Sequence, residues 1–216
     1  MSDEAKKAAI LISGSGTNLQ AFIDRQRAGR LGFEICVVFS NRADAYGLER
    51  ASRAGIPRQT LAHGDFPDRE SFDRAVADAL EAYAPDLLIL AGFMRILSPW
   101  FVRRYEGRIL NIHPALLPKY PGLDTYRRVL DAADSHHGST VHFVTEELDG
   151  GPPVLAGRIA IDPDDTPDTL MQRVQAVEHR IYPDAADWLA SGRLEYADGT
   201  VRLDGEQLTA PVVQDF

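Results

Sequence analysis

The sequence is poor in cysteine and contains no long hydrophobic run. Its single cysteine, Cys36, has no partner for an internal disulfide, which is typical of proteins in a reducing compartment. No apolar stretch approaches the roughly 18 residues of a membrane helix. Residues 1–7 are polar, unlike the start of a signal peptide. We therefore expect a soluble, cytoplasmic protein without membrane contact.

Positive charge is also scarce. The 216 residues include 23 Lys and Arg against 32 Asp and Glu, which gives a formal net charge of −9. Because the basic residues are scattered, this charge would repel a nucleic-acid backbone, so small molecules are the expected partners. A content of 44% hydrophobic and 25% charged residues is typical of a globular chain. We expect this chain to be a monomer or a homodimer.

The first half of the chain alternates apolar strands with amphipathic helices. Strands are predicted at 8–12, 33–39, 56–61, 86–91 and 108–112, and helices at 17–28, 45–54 and 70–83. The run at 86–91 is apolar throughout, as expected for a strand that is buried on both faces of a parallel sheet. This order predicts an α/β fold with a doubly wound, Rossmann-like, mostly parallel central sheet.

The second half predicts an antiparallel part. Strands at 140–145 and 154–161 are separated by a turn rich in glycine and proline and not by a helix, so they should pair antiparallel. A long helix should begin at the Thr-Pro pair 166–167, kink at Pro183 and end before a hairpin at 194–203.

A glycine-rich loop, residues 13–18, follows the first strand and opens the first helix. Small residues let the backbone approach an anion, and the free N–H groups of the first helical turn can bind it. Leu19 stands where a dinucleotide-binding loop has its third glycine, and the Gly-Lys-Ser/Thr of a P-loop is missing. The loop therefore suits a single phosphate. The alternative is a tight turn in which Thr17 caps the helix.

Asn111 and His113 stand at the carboxyl end of a predicted strand, where parallel sheets bind ligands. Because they are two residues apart, their side chains point to the same side. An amide donor beside an imidazole can polarise a carbonyl, hold the resulting oxyanion and move a proton. A lone histidine is more often structural, and it is the pairing with Asn111 that favours catalysis. Asp149, in an Asp-Gly-Gly turn, could keep His113 charged or serve only the turn.

Five long motifs stand in unbroken order within residues 8–205: SGSGTNLQ at 13–20, SNRADAYGL at 40–48, LAGFMRIL at 90–97, NIHPALLP at 111–118 and VHFVTEELDGG at 141–151. Together they resemble the glycinamide ribonucleotide formyltransferase family. The Asn-x-His-Pro motif with its downstream Asp is shared by the wider group of folate-dependent formyltransferases. The amino-terminal loop is what distinguishes the purine enzymes.

The resemblance implies transfer of the formyl group of 10-formyltetrahydrofolate to the amine of glycinamide ribonucleotide. The products are formylglycinamide ribonucleotide and tetrahydrofolate, in de novo purine (IMP) biosynthesis. It also implies a catalytic trio of Asn111, His113 and Asp149. The ribonucleotide would contact Gly16, Thr17, Asn18, Gln175 and Glu178. The folate would contact Arg69, Met94, Arg95, Ile96, Leu97, Asn111, Thr145, Glu146, Glu147, Leu148 and Asp149.

The same resemblance implies one formyltransferase domain over residues 1–216. Its amino-terminal lobe, about 1–112, would bind the ribonucleotide, and its carboxyl-terminal lobe, about 113–216, would complete the folate site. No metal is expected, because the histidines at 136, 137 and 142 have no second ligand set at metal-binding spacing.

Alternatives remain open. A formyltetrahydrofolate hydrolase would use the same trio with water as the acceptor, but usually carries an added regulatory domain. A methionyl-tRNA formyltransferase usually has a further domain and a basic surface, and a non-catalytic nucleotide-binding module would have no use for the trio. Among the single residues, Met94 and Leu97 could be core, and Arg69 and Glu178 could be solvated helix charges.

The chain departs from the family in one loop. After Pro121-Gly122 the family usually has a His-x-His pair, whereas this chain has Asp124-Thr125-Tyr126. We expect altered packing of this loop or altered affinity, without loss of activity.

Overall fold

The computed structural model describes residues 5–216, so residues 1–4 of the polar amino terminus lie outside the described part. The strands are β1 (Lys6–Ile12), β2 (Phe33–Ser40), β3 (Arg58–Thr60), β4 (Leu87–Leu90), β5 (Ile109–His113), β6 (His136–Phe143), β7 (Pro153–Ala160), β8 (Leu194–Ala197), β9 (Thr200–Leu203), β10 (Glu206–Gln207) and β11 (Val212–Asp215). The helices are α1 (Thr17–Arg27), α2 (Tyr46–Arg53), α3 (Arg69–Glu81), α4 (Pro99–Arg104), α5 (Thr125–Asp131) and α6 (Pro167–Ala190). A single 3₁₀ turn covers His63–Asp65.

The central sheet has the strand order β11-β7-β6-β5-β4-β1-β2-β3. The five strands from β3 to β5 are mutually parallel, and β6 is antiparallel to both of its neighbours. A small antiparallel sheet of β8, β9 and β10 stands apart from it. The predicted α/β fold, with its mostly parallel sheet and its antiparallel carboxyl-terminal part, is confirmed.

Helices cover both faces of the sheet because each strand of its centre is apolar on both sides. On one face, α1 and α6 pack with Phe22, Ile23 and Val177 against the sheet. On the other face, α3 and α4 contribute Phe72 and Phe101 to a second core layer. The strand order reverses between β1 and β4, and α/β sheets bind ligands in the crevice that opens at the carboxyl ends of such a pair.

The long helix α6 begins at a capping box. The Thr166 hydroxyl accepts a hydrogen bond from the Thr169 amide at 3.2 Å, and Pro167 occupies the first helical position. The helix continues past Pro183 and ends at Ala190. Along it, buried side chains pack on β6 and β7, so α6 fixes the antiparallel part of the sheet to the rest of the core.

Several elements were not predicted from the sequence. The helices α4 and α5 and the strands β10 and β11 are two to seven residues long, too short for a clear hydrophobic period. The strand β6 begins at His136, four residues before the predicted start at 140, because polar residues at its start hide the alternation. The final strand β11 pairs in parallel with β7 and extends the main sheet.

Replacing Tyr182 by phenylalanine should lower the free energy of unfolding by about 1–3 kcal/mol. The ring is fully buried, and its hydroxyl lies 3.0 Å from the Leu90 carbonyl oxygen and 2.9 Å from the Leu110 carbonyl oxygen. Tyr182→Phe leaves both buried carbonyls without this donor. Denaturant unfolding would measure the loss, and Tyr196→Phe, on a partly exposed ring stacked on Phe143, should change stability less. Equal stability of Tyr182→Phe and the parent chain would contradict this role of the hydroxyl.

Candidate active site

The strand β5 places a buried imidazole between two oxygen acceptors. His113 Nδ1 lies 3.4 Å from Asp149 Oδ2, and His113 Nε2 lies 2.8 Å from the carbonyl oxygen of Tyr120. A carbonyl only accepts hydrogen bonds, so His113 Nε2 donates to Tyr120. Its other ring nitrogen, Nδ1, faces the Asp149 carboxylate.

A second histidine orients the amide of Asn111. Asn111 Nδ2 lies 3.2 Å from His142 Nε2, and His142 Nδ1 lies 2.8 Å from the carbonyl oxygen of Phe143. Burial lowers the pKa of His142, which keeps the ring neutral. Its Nδ1 must then donate to the carbonyl, and its Nε2 accepts from the Asn111 amide. The second N–H of Asn111 Nδ2 remains available for a substrate oxygen.

His142 contacts Asn111 in the candidate site, and the sequence reasoning did not place it there. It stands in the motif at 141–151, but nothing in the sequence places it opposite Asn111. In the sheet, these two residues are register partners across β5 and β6. A prediction of strand register would have been needed to find it.

The turn that contains Asp149 packs against the end of β6 and places the Asp149 carboxylate near His113 of β5. Asp149 has a left-handed backbone with φ 51°, and its Oδ2 accepts a hydrogen bond from the Gly122 amide at 2.9 Å. A Cβ at Gly151 would lie 1.9 Å from the carbonyl oxygen of Phe143, so only glycine fits there. The turn therefore does more than reverse the chain, since it brings Asp149 into contact with His113.

The glycine-rich loop forms a preorganised helix start. Gly16 is the N-cap of α1 with φ 68°, and a Cβ there would lie 2.8 Å from the Cα of Gly47. Thr17 is the first helical residue and makes no side-chain cap, so the alternative of a capping Thr17 is wrong. Backbone N–H groups of the first helical turn have no partner within a helix, which leaves those of Thr17 and Asn18 free for an anion.

The buried carboxylate of Glu178 joins this loop to β5. Its Oε2 accepts from Asn18 Nδ2 at 2.9 Å, and its Oε1 accepts from the Ser139 hydroxyl at 3.0 Å. The same hydroxyl lies 2.7 Å from the carbonyl oxygen of His113. Glu178 is only 6% exposed, so it is not a solvated helix charge, and its burial raises its pKa. Gln175 lies about one turn earlier on α6 and is half-buried.

Large apolar side chains are exposed on the segment that follows β4 and on the loop that precedes Asp149. The exposed fractions are 72% for Met94, 49% for Ile96 and 57% for Leu148. The segment after β4 is tied to the glycine-rich loop, because the Ser13 hydroxyl accepts from the Met94 amide at 2.8 Å. By contrast, Leu97 packs in the core with α3 and α4, so its side chain is structural. Exposed apolar side chains grouped at one site are typical of a ligand-binding surface.

Two arginines lie near this surface. Arg69 is the exposed first residue of α3 and lines a cavity of about 560 Å³ that also contacts Ser98. Arg95 lies with its guanidinium 5.9 Å from the centre of the Phe72 ring, and its Nε is buried without a hydrogen-bond partner. The pKa of Asp73 is raised by burial, although hydrogen bonds from Ser98 and the charges of Arg69 and Arg95 oppose this rise. The structure therefore brings these two arginines to one region.

The remaining predicted site residues lie on the loop before Asp149. Thr145 is half-buried, and its hydroxyl lies 3.5 Å from the carbonyl oxygen of Glu147. The exposed Glu146 pairs with Arg103 of α4 at 2.5 Å, and Glu147 is exposed without an ion pair among the described residues. The loop is thus anchored at Glu146 and open at Glu147 and Leu148.

The loop at residues 124–126, which departs from the family's His-x-His pattern, packs through Tyr126. Asp124 is exposed, with φ 57°, and precedes α5. The half-buried ring of Tyr126 packs edge-on against His137, with ring centroids 5.5 Å apart. Burial lowers the pKa of His137 to about 4, so the ring beside Tyr126 is neutral at pH 7. In this chain, Tyr126 therefore packs the loop through an aromatic contact with His137.

The described residues contain neither a reactive thiol nor a metal-binding cluster. Cys36 is buried, and its burial raises the pKa of the thiol to about 11, so it is not a thiolate nucleophile. Residues 5–216 hold no group of three or more His, Cys, Asp or Glu side chains that could bind a metal ion. Within the same residues, no helix has the length and apolarity to cross a bilayer.

Comparison with known proteins gives a consistent result. A family model described as formyl transferase matches residues 6–186. The phosphoribosylglycinamide formyltransferase of Escherichia coli (strain K12) is 51% identical over 199 residues, which cover 92% of this chain and 94% of that protein. The phosphoribosylglycinamide formyltransferase of Coxiella burnetii, solved in complex with CHES, aligns with a TM-score of 0.92 and 48% identity, over 97% of this chain and 100% of that one.

A more distant structure shares only the fold. The formyltetrahydrofolate deformylase of Pseudomonas syringae aligns with a TM-score of 0.85 but 23% identity. The alignment covers 93% of this chain and 66% of that one. The hydrolase alternative therefore has weaker support than the transferase.

Proposed function

The chain belongs to the formyl transferase family, and from this premise we propose that Asn111, His113 and Asp149 catalyse its reaction. The chain transfers a formyl group to glycinamide ribonucleotide in purine biosynthesis, with 10-formyltetrahydrofolate as the co-substrate. The observation that carries the assignment of the trio is the buried imidazole of His113, held between Asp149 and the Tyr120 carbonyl beside the oriented amide of Asn111.

The chemistry follows from these three side chains. Attack of the ribonucleotide amine on the formyl carbon places negative charge on the formyl oxygen. The free N–H of Asn111 and the imidazolium of His113 stabilise that charge, and each such donor is worth about 3 kcal/mol in related sites. Asp149 holds His113 in its charged form and can position a water that carries the proton from the amine to the folate nitrogen. No covalent intermediate with the chain is required.

The two substrates fit the two sides of the trio. The backbone N–H groups of Thr17 and Asn18 suit the phosphate of the ribonucleotide, and Gly16 lets that phosphate approach the backbone. Glu178, which is bonded to Asn18, and Gln175 complete the proposed ribonucleotide site. On the other side, the exposed Met94, Ile96 and Leu148 suit the flat aromatic ring system of the folate, and Arg69 and Arg95 suit its carboxylates.

The test is the deformylation of 10-formyltetrahydrofolate, followed by absorbance with and without glycinamide ribonucleotide. We expect turnover only when the ribonucleotide is present. Equal turnover without the ribonucleotide would mean that water is the acceptor and would assign a hydrolase. Absence of turnover in both mixtures would contradict the proposed trio and direct attention to the loop at Asp124 and Tyr126.

The proposal also covers the cellular location and the oligomeric state of the chain. We expect a single-domain cytoplasmic enzyme that is a monomer or a homodimer. Light scattering on the purified chain at several concentrations measures the assembly state, and a mass above that of a dimer would contradict this part.

A further inference from the structure

A basic groove lies beside the glycine-rich loop. It has a volume of about 620 Å³ and runs between α1 and α6. The residues that matter here are Thr17, Arg25, Arg30, Arg50, His179 and Arg180. Four arginines line this groove, and Asp24 is the only carboxylate among its lining residues, although the whole chain carries a net charge of −9. Such a local excess of positive charge attracts anions.

Most of this positive charge is not neutralised. Arg25 pairs with Asp184 at 2.5 Å, whereas Arg50 donates only to neutral oxygens, those of Ser15 at 2.8 Å and Gln20 at 2.9 Å. Among the described residues, neither Arg30, Arg50 nor Arg180 forms an ion pair. The positive charge of these three guanidinium groups is therefore not neutralised, although those of Arg50 and Arg180 lie over the rings of Tyr46 and Phe216, 5.0 and 4.8 Å from the ring centres.

A buried nitrogen in the same wall lacks a partner. His179 Nε2 is inaccessible to solvent and makes no hydrogen bond. Burial lowers the pKa of His179, with an opposing effect of Asp24 and a further lowering by Arg50. Unpaired buried polar atoms are costly, and in native proteins they often mark the position of a ligand or an ion.

We propose that this groove binds the outer phosphates of a ribonucleoside 5′-di- or triphosphate. The inference rests on the proposed function, because the first phosphate of the nucleotide would occupy the site at Thr17 and Asn18. From Thr17 to Arg25 the groove follows α1 over eight residues, about 12 Å at the helical rise. This length accommodates the further phosphates, and Asp24, bonded to Gln20 at 2.8 Å, is the single opposing charge. Such nucleotides therefore inhibit in competition with the ribonucleotide substrate.

The experiment compares ATP with AMP as inhibitors, without magnesium and at one salt concentration. In the parent chain, ATP should compete with glycinamide ribonucleotide and bind at least about fivefold more tightly than AMP. The double variant Arg30→Gln/Arg180→Gln should lose this preference and keep the KM for the ribonucleotide. The control Arg58→Gln/Arg202→Gln removes the same charge from exposed positions elsewhere and should keep the preference.

Equal inhibition by ATP and AMP in the parent chain would overturn the proposal. It would also be overturned if the control variant lost the preference as fully as the groove variant, because the effect would then be one of net charge. Calorimetric titration with tripolyphosphate tests the groove without turnover. No binding of tripolyphosphate by an active transferase would contradict only this inference, whereas an inactive chain that binds it would contradict only the proposed function.

Discussion

His113→Ala should lower kcat by at least about a hundredfold while the chain stays folded. The substitution removes the imidazole that lies 3.4 Å from Asp149 Oδ2, and with it the group that stabilises the oxyanion in the proposed mechanism. Because neither proposed substrate-binding surface includes this ring, the KM values should change little. Steady-state kinetics of the transferase reaction measure both parameters, and circular dichroism and thermal unfolding report the fold.

The matched control for this experiment is His136→Ala. His136 begins β6, is exposed, and its Nδ1 contacts only the neighbouring Ser135 hydroxyl at 2.9 Å. We expect this variant to keep the kcat of the parent chain. A His113→Ala enzyme with near-native kcat, or a control variant that is equally impaired, would remove His113 from the catalytic trio.

The fold was predictable wherever elements are long and periodic. The strand β4 is apolar throughout, β1 and β2 each contain a run of apolar residues, and α3 repeats its buried side chains at three- and four-residue spacing. The antiparallel pairing of β6 and β7 followed from the lack of a helical pattern between them. The elements that could not be predicted are short or depend on tertiary contacts. One of them is β11, whose four residues become a strand only by pairing with β7.

The individual residues and the loop of the candidate site were predictable, but the contacts between distant residues that join them were not. The period of a strand places Asn111 and His113 on one side, and the glycine-rich loop indicates a phosphate site. The contact between Asn18 and Glu178 joins residues 160 positions apart, and no local rule predicts it. The same limit applies to His142, which acts on Asn111 only through the sheet register.

The solvent exposure of two side chains distinguishes roles that the sequence left open. Met94 and Leu97 stand in one apolar motif, and both were candidates for either the core or the folate site. The structure buries Leu97 against α3 and α4 and leaves Met94 exposed. The difference arises from the direction of each side chain after β4, which depends on the packing of α4, a helix too short to predict.

Asp149→Asn should also reduce kcat by at least about a hundredfold, equivalent to about 2.7 kcal/mol of transition-state stabilisation. The new side chain has the same shape, and asparagine tolerates the left-handed φ of 51° at this position. Its amide oxygen can still accept the hydrogen bond from Gly122, so the turn should keep its conformation. What is lost is the negative charge beside His113 that the proposed mechanism requires.

The control for Asp149→Asn is Glu147→Gln, which removes a carboxylate from the same loop. Glu147 is exposed and has no ion pair among the described residues, so its loss can change the KM for the folate but should leave kcat within about twofold of the parent value. Together the two variants separate the charge at Asp149 from the total charge of the loop. A hundredfold loss in Asp149→Asn alone would support the role of its charge beside His113. Near-native kcat in that variant would show that the charge state of His113 does not depend on it.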